Sequence, residues 1–144
     1  MKKIIFSILI MVSFTGKSQE KLSNGEYKLN CNNPYQILDI SNDKAYISVY
    51  NNIFVNAIIK KNKMIYELFY SYNEPVPTWE KKIDSLNISK TVSFATIKKT
   101  KGGIMMQWKG LYNTQTGKRD FANNAIFVED NDNHKKTIFL KKCK

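Results

Sequence analysis

Residues 45–60, "AYISVYNNIFVNAIIK", decide how the rest of the chain is read. Ala45, Ile47 and Val49 alternate with Tyr46, Ser48 and Tyr50, and after Asn51-Asn52 the alternation resumes at Ile53, Val55, Ala57 and Ile59. Successive side chains of an extended chain point to opposite faces, so an apolar row with a period of two marks a half-buried strand. Two such rows joined by Asn-Asn, which tolerates left-handed backbone, predict an antiparallel hairpin.

The same pattern extends both ways. Upstream, Tyr27, Leu29 and Cys31 alternate with Lys28 and Asn30. Turn signals stand at Asn42-Asp43, Lys61-Asn62-Lys63, Gly102-Gly103, Gly117 and Asp130 to Asn133. This predicts about nine strands, near 25–31, 35–41, 44–50, 53–60, 63–72, 92–99, 103–112, 121–129 and 136–143. The expected class is all-β: an antiparallel meander that closes as a small lipocalin-like barrel of eight or nine strands, or stacks as a two-layer sandwich. Either removes or protects sheet edges, and the barrel is preferred.

One segment breaks the period. Residues 74–91, "EPVPTWEKKIDSLNISKT", carry two prolines that cannot join a central strand, then Thr78 as an N-cap before Trp79, Ile83 and Leu86. Those three share one face of a helix, so a short helix near 78–87 is expected, as a lid or plug over one end or as a mobile loop that meets a partner. Asn87-Ile88-Ser89 also matches a glycosylation sequon.

At the N-terminus, Lys2 and Lys3, the apolar run Ile4 to Val12, and small and polar residues from Ser13 follow the plan of a secretory signal peptide. The expected organisation is a signal peptide over 1–19 and a single β domain over 20–144, periplasmic or extracellular. The apolar run is shorter than the ~20 residues a spanning helix needs, so no stable membrane insertion is expected. The chain of 144 residues carries a formal charge of +11; loss of 1–19 leaves 20 basic and 12 acidic residues, a net charge of +8. Cys31 and Cys143 are the two cysteines. In an oxidising compartment they are expected to pair, which would bring the first and last strands together. Two separate thiols, or a metal pair short of ligands, are the alternatives.

The sequence does not read as an enzyme. His134, the one histidine, sits in the charged turn "EDNDNHKK", where a solvated turn residue is the simpler reading. One histidine and two paired cysteines cannot build a zinc site. Glu129 to Asn133 offer oxygen ligands for weak calcium binding but lack the glycine and distal glutamate of an EF-hand loop. No cofactor motif appears.

The lysines cluster at 60–63, 98–101, 135–136 and 141–142. Lysines at strand ends keep sheet edges soluble. They also steer a basic protein toward an acidic partner, such as an enzyme cleft, anionic lipid or envelope polymer; nucleic acid is the weakest choice for an exported chain.

In residues 104–113, "IMMQWKGLYN", Ile104, Met106 and Trp108 share a face with Gly110 and Tyr112, while Met105, Gln107, Lys109 and Leu111 share the other. Trp108 reads as a core anchor and Gly110 as a bend or a point of close approach. The following turn is expected to project Lys118 and Arg119 into solvent. Lys109, Tyr112, Lys118 and Arg119 are therefore the candidate partner-binding residues, since Arg and Tyr concentrate interface energy.

"WKGLYNTQTGKRDF" and "FLKKC", with the early cysteine of "YKLNC", resemble small secreted proteins of Gram-negative bacteria of the periplasmic immunity or lysozyme-inhibitor type. The resemblance implies a disulfide-closed β domain that binds and blocks a toxic enzyme, and carries over no site residue. The leading expectation is thus a periplasmic or secreted protein that neutralises such an enzyme through surface loops, its partner presenting an acidic surface or cleft. The alternative is a lipocalin-like barrel holding a small apolar ligand among Tyr66, Leu68, Tyr70, Tyr72, Met106 and Trp108. An envelope structural or adhesive module is a third reading.

Overall fold

The computed structural model describes residues 21–79 and 83–144; residues 1–20, which include the expected signal peptide over 1–19, and residues 80–82 of the 74–91 segment lie outside them. Eight strands close an antiparallel barrel: β1 (Gly25–Lys28), β2 (Leu38–Ser41), β3 (Lys44–Tyr50), β4 (Ile53–Asn62), β5 (Ile65–Asn73), β6 (Ala95–Thr100), β7 (Gly103–Trp108) and, last in the chain, β10 (Thr137–Lys142). Neighbours in sequence are neighbours in space from β1 to β7. β10 then fills the gap between β7 and β1, so the sheet has no free end. The remaining strands, β8 (Leu111–Asn113) and β9 (Lys118–Asp120), form a separate hairpin inside the long connection from β7 to β10.

The alternating rows do what their period dictates. On β4, Ile53, Val55, Ala57 and Ile59 are buried, while Phe54, Asn56 and Ile58 face outward; on β7, Ile104, Met106 and Trp108 are buried. Together with Leu38, Ile40, Ile47, Leu68, Ile97, Ile138 and Leu140 they form one core cluster. An eight-stranded barrel has an interior just wide enough for such side chains to fill. Of the six residues suggested for an apolar ligand chamber, Tyr66, Leu68, Tyr70, Met106 and Trp108 belong to this packed core. Tyr72 does not: it is 56% exposed, because a bulge that follows the Ala57–Tyr70 pair breaks the register on β5.

The expected strand over 121–129 is replaced by turns and a single helical turn, α1 (Ile126–Glu129), followed by a 3-10 turn at Asp132–His134. The reason lies in Phe127 and Val128, adjacent residues that are both buried. A strand would send one of them outward, whereas a helical turn packs both over the end of the barrel. With Phe121 and Ala125 they form the plug. Among the described residues of 78–87 no helix forms; Trp79 and Leu86 are 81% and 95% exposed, and only Ile83 of the expected face packs on the core. The 83–92 stretch instead binds the β8–β9 hairpin: Ser89 N–H donates to the Tyr112 carbonyl at 2.8 Å and Thr114 N–H to that of Asn87 at 2.8 Å.

Gly110 sets where the barrel wall stops. Its φ is +93°, and a Cβ there would lie 2.8 Å from the Asp120 carbonyl oxygen and 2.9 Å from Ala122 Cα. This bend inverts the expected faces beyond it, so Leu111 is buried and Tyr112 half-buried. Trp108 is anchored just before the bend. Its indole Nε1 donates to the Phe121 carbonyl at 2.8 Å, and its ring meets Phe94 edge-on at 5.6 Å.

The barrel closes at a thin seam. β1 pairs with β10 through Tyr27–Lys142 and Lys28–Lys141, and Cys143 N–H donates to the Glu26 carbonyl at 2.8 Å. The Cys31–Cys143 disulfide clasps this seam, with Cα atoms 5.5 Å apart and a sequence separation of 112. Constraining a loop of that length is worth up to about 4.7 kcal/mol on the chain-entropy account. Replacing both cysteines by serine should remove about 2–5 kcal/mol of stability, read from urea unfolding, and reductant should act on the native protein alone.

Burial holds the Tyr27 phenol above its ordinary value of 10.0, opposed by the hydrogen bond to Ser23 and by the Lys99 charge; burial and Glu74 raise Tyr46, and burial raises Tyr70. An unfolded chain therefore loses these protons first. Their contribution to stability is complete below pH 10 and declines as pH rises beyond it. Denaturation midpoints followed from neutral to strongly alkaline pH should show that decline, and Tyr27→Phe with Tyr70→Phe should flatten it.

Candidate functional site

An up-and-down meander places alternate turns at the same end. The turns at Asn42-Asp43, Lys63-Met64 and Lys101-Gly102 therefore share one end with the entry to β1 and the exit from β10. The lysines gather there. Lys21 precedes β1, Lys44 opens β3, Lys60, Lys61 and Lys63 surround the β4–β5 turn, Lys98, Lys99 and Lys101 the β6–β7 turn, and Lys141, Lys142 and Lys144 end the chain. Eleven lysines stand there, against Glu26, Asp39, Asp43 and Glu67 on the same turns and strand ends. Glu26, nearby on β1, is 3.5 Å from Lys28 Nζ. Connections at the opposite end carry six basic and six acidic residues among those described, so the positive excess of the described residues belongs to one mouth.

Three of these lysines have a particular origin. The inward row of β4 runs Val55, Ala57, Ile59 and then Lys61; that of β6 runs Ala95, Ile97 and Lys99; that of β10 runs Ile138, Leu140 and Lys142. Each row is buried until its last member, which reaches the rim. The lysine stem covers apolar wall and the ammonium stays wet. Lys61 Nζ lies 5.8 Å from the centre of the Tyr66 ring and Lys60 Nζ 5.0 Å from that of Phe69, contacts that hold both stems against the wall.

Recesses open among them. One, about 390 Å³ and half-open, is lined by Lys21, Leu22, Asn42, Asp43, Ile59, Lys61 and Tyr66. A second, about 210 Å³, lies between Lys61, Met64, Tyr66, Lys98 and Lys99, and a third, about 160 Å³, between Tyr27, Lys99, Ile104 and Lys142 with the turn glycines. At the plug end another recess of about 520 Å³ is lined by Asn33, Tyr35, Tyr50, Ile126, Glu129 and Asp130, among others.

The four residues suggested for partner binding do lie together, but at the plug end. Lys118 is exposed on the β8–β9 hairpin. Arg119 is half-buried rather than projecting: one guanidinium nitrogen donates to the Ser93 and Gly110 carbonyls at 3.0 and 2.9 Å, and the group lies 5.7 Å from the centre of the Tyr112 ring. Lys109 Nζ reaches Ser93 Oγ at 3.2 Å. Arg119 and Lys109 thus tie the hairpin and the 93–94 stretch together. Asn87 of the sequon is similarly engaged, its Nδ2 donating to Asp84 and Gln115. In the 129–133 turn, Asp130 accepts from Gln36 Nε2 at 2.7 Å and Asn131 donates to the Lys135 carbonyl at 2.8 Å.

Comparison with protein-family models, with curated proteins and with solved structures gave no match to the chain. Among the described residues no helix is long and apolar enough to cross a membrane.

Sequence reading found the lysine clusters but not their convergence, which takes counting turns to see which share an end. Arg119→Ala should cost about 1.5–3 kcal/mol in chemical denaturation, because two carbonyls lose a charged donor, whereas Lys118→Ala should change stability by less than about 0.5 kcal/mol.

Proposed function

We propose that the protein is an exported binding protein that neutralises a toxic enzyme by seating its lysine-rich mouth on an acidic cleft. The observation that carries this reading is the segregation of charge: eleven lysines at one end of the barrel, and a balanced set at the other. Concentrated charge raises the encounter rate with an oppositely charged surface and orients the approach. A cleft with paired carboxylates, as in enzymes that hydrolyse glycosidic bonds, presents the matching potential. The disulfide suits an oxidising compartment outside the cytoplasm, and the signal-peptide pattern of residues 1–19 suits delivery to it. A rigid barrel also holds the turns around the mouth in place, so docking costs little ordering entropy. Lys118 and Tyr112, at the other end, offer a second and smaller contact.

The test is inhibition of a panel of purified secreted cell-wall hydrolases with acidic clefts. Inhibition of at least one should weaken as salt rises and should fall at least about tenfold when the outer rim is reversed by Lys60→Glu, Lys63→Glu and Lys101→Glu together. No inhibition across the panel, or inhibition that ignores both salt and the reversal, would overturn the proposal.

A further inference from the structure

The 390 Å³ recess of the mouth differs from a merely basic surface. Its lining is mixed: the exposed edges of Leu22, Ile59 and Tyr66 lie beside Asn42, Lys21 and Lys61, with Asp43 as the one acid. Leu22 and Ile59 belong to the core cluster, so the lining continues the packed interior and is fixed in place by it. At about 390 Å³ the recess has the volume of a small-ligand site. From the rim, Tyr66 and Lys61 continue into the neighbouring recess beside Lys98, Lys99 and the 79% exposed Met64, which lengthens the apolar track while keeping cations along it.

Such a lining rejects two classes of ligand. A small hydrated anion would leave the apolar lining wet, and a neutral hydrocarbon would leave the ammonium groups unanswered. A molecule with an anionic head and an apolar tail satisfies both, the tail displacing water from Leu22, Ile59 and Tyr66 while the head meets Lys21 and Lys61. We infer that this recess is a binding site for an amphipathic anion, a carboxylate or phosphate joined to an acyl or aromatic group. The site lies at the mouth and not inside the barrel, where the packed row of Leu68, Met106 and Trp108 leaves the tail no depth to enter. Binding here does not depend on the acidic protein partner proposed above. The residues tested are also different: the inward Lys61 with Lys21, not the outer rim of Lys60, Lys63 and Lys101.

The experiment is a fluorescence titration of the folded protein with anilinonaphthalene sulfonate, followed by its displacement with dodecanoate, acetate and dodecyltrimethylammonium. Saturable binding at one site per chain, displaced by dodecanoate but not by acetate or the cationic amphiphile, is expected. Lys61→Glu with Lys21→Glu should weaken dodecanoate at least about tenfold, the scale of one lost charged contact. Lys135→Glu, at the far end, should leave it unchanged. Both substitutions lie on exposed side chains, and a native unfolding midpoint shows that the fold survives them. Flotation with phosphatidylglycerol vesicles then names the source: co-flotation reversed by dodecanoate points to a membrane lipid, and dodecanoate binding without flotation to a free amphiphile, either outcome supporting the site. Equal displacement by the cationic amphiphile, or binding indifferent to the Lys61 and Lys21 reversals, would overturn the inference.

Discussion

Closure of β1 onto β10 is the constraint on which the rest of the molecule depends. The two strands meet through only two residue pairs, Tyr27–Lys142 and Lys28–Lys141, yet without that meeting β10 would be the bare edge of an open sheet. Two devices reinforce it. The Glu26 N–H donates to the Lys144 carbonyl at 3.1 Å, which is reached because Gly25, at φ +137°, has no Cβ to collide with that carbonyl. The disulfide then fixes Cys31 beside Cys143 from outside the ladder. A short seam with a covalent clasp lets the ends of the chain complete a wall that neither could stabilise alone.

Closure also determines what the mouth can be. Because the inward rows of the described residues are packed, the recesses open where the rows end. Three of them end in lysine, at Lys61, Lys99 and Lys142. The binding surface proposed here is therefore the rim of the hydrophobic core itself, with the cations carried on the same strands that fill the interior. Tyr66 shows the coupling well, since it is at once a core residue and a lining residue of two recesses.

Much of this was legible in the sequence, and the physical reason is local. Strands β3 and β4 announce themselves because one face of each is buried and the other is not. The cysteine pairing follows from the compartment the sequence leads one to expect, and the core role of Trp108 from the same alternation. What stayed hidden depends on contacts distant in sequence. Residues 121–129 look extended by composition, but Phe127 and Val128 are recruited together as a plug by an open barrel end that local pattern does not reveal. Arg119 looks like a solvated hairpin residue, and becomes a bracket only because Ser93 and Gly110 offer carbonyls nearby. The lysine mouth occupies a middle position: a buried period-two row that finishes on Lys is visible in β4, β6 and β10 once strand order is known.

The two ends of the barrel are joined by very different lengths of chain. At the basic end all the hairpin turns are tight, from Asn42-Asp43 to Lys101-Gly102, whereas at the other, beside the one tight turn at Asn51-Asn52, the chain makes long detours over 74–94 and 109–136. Extra residues grafted at the exposed Gly117 tip would disturb neither ladder nor rim, while a single residue added to a tight turn would slip a strand by one and turn its apolar row outward. The architecture thus separates a conservative pole, whose geometry admits little revision, from a permissive one where novelty can accumulate.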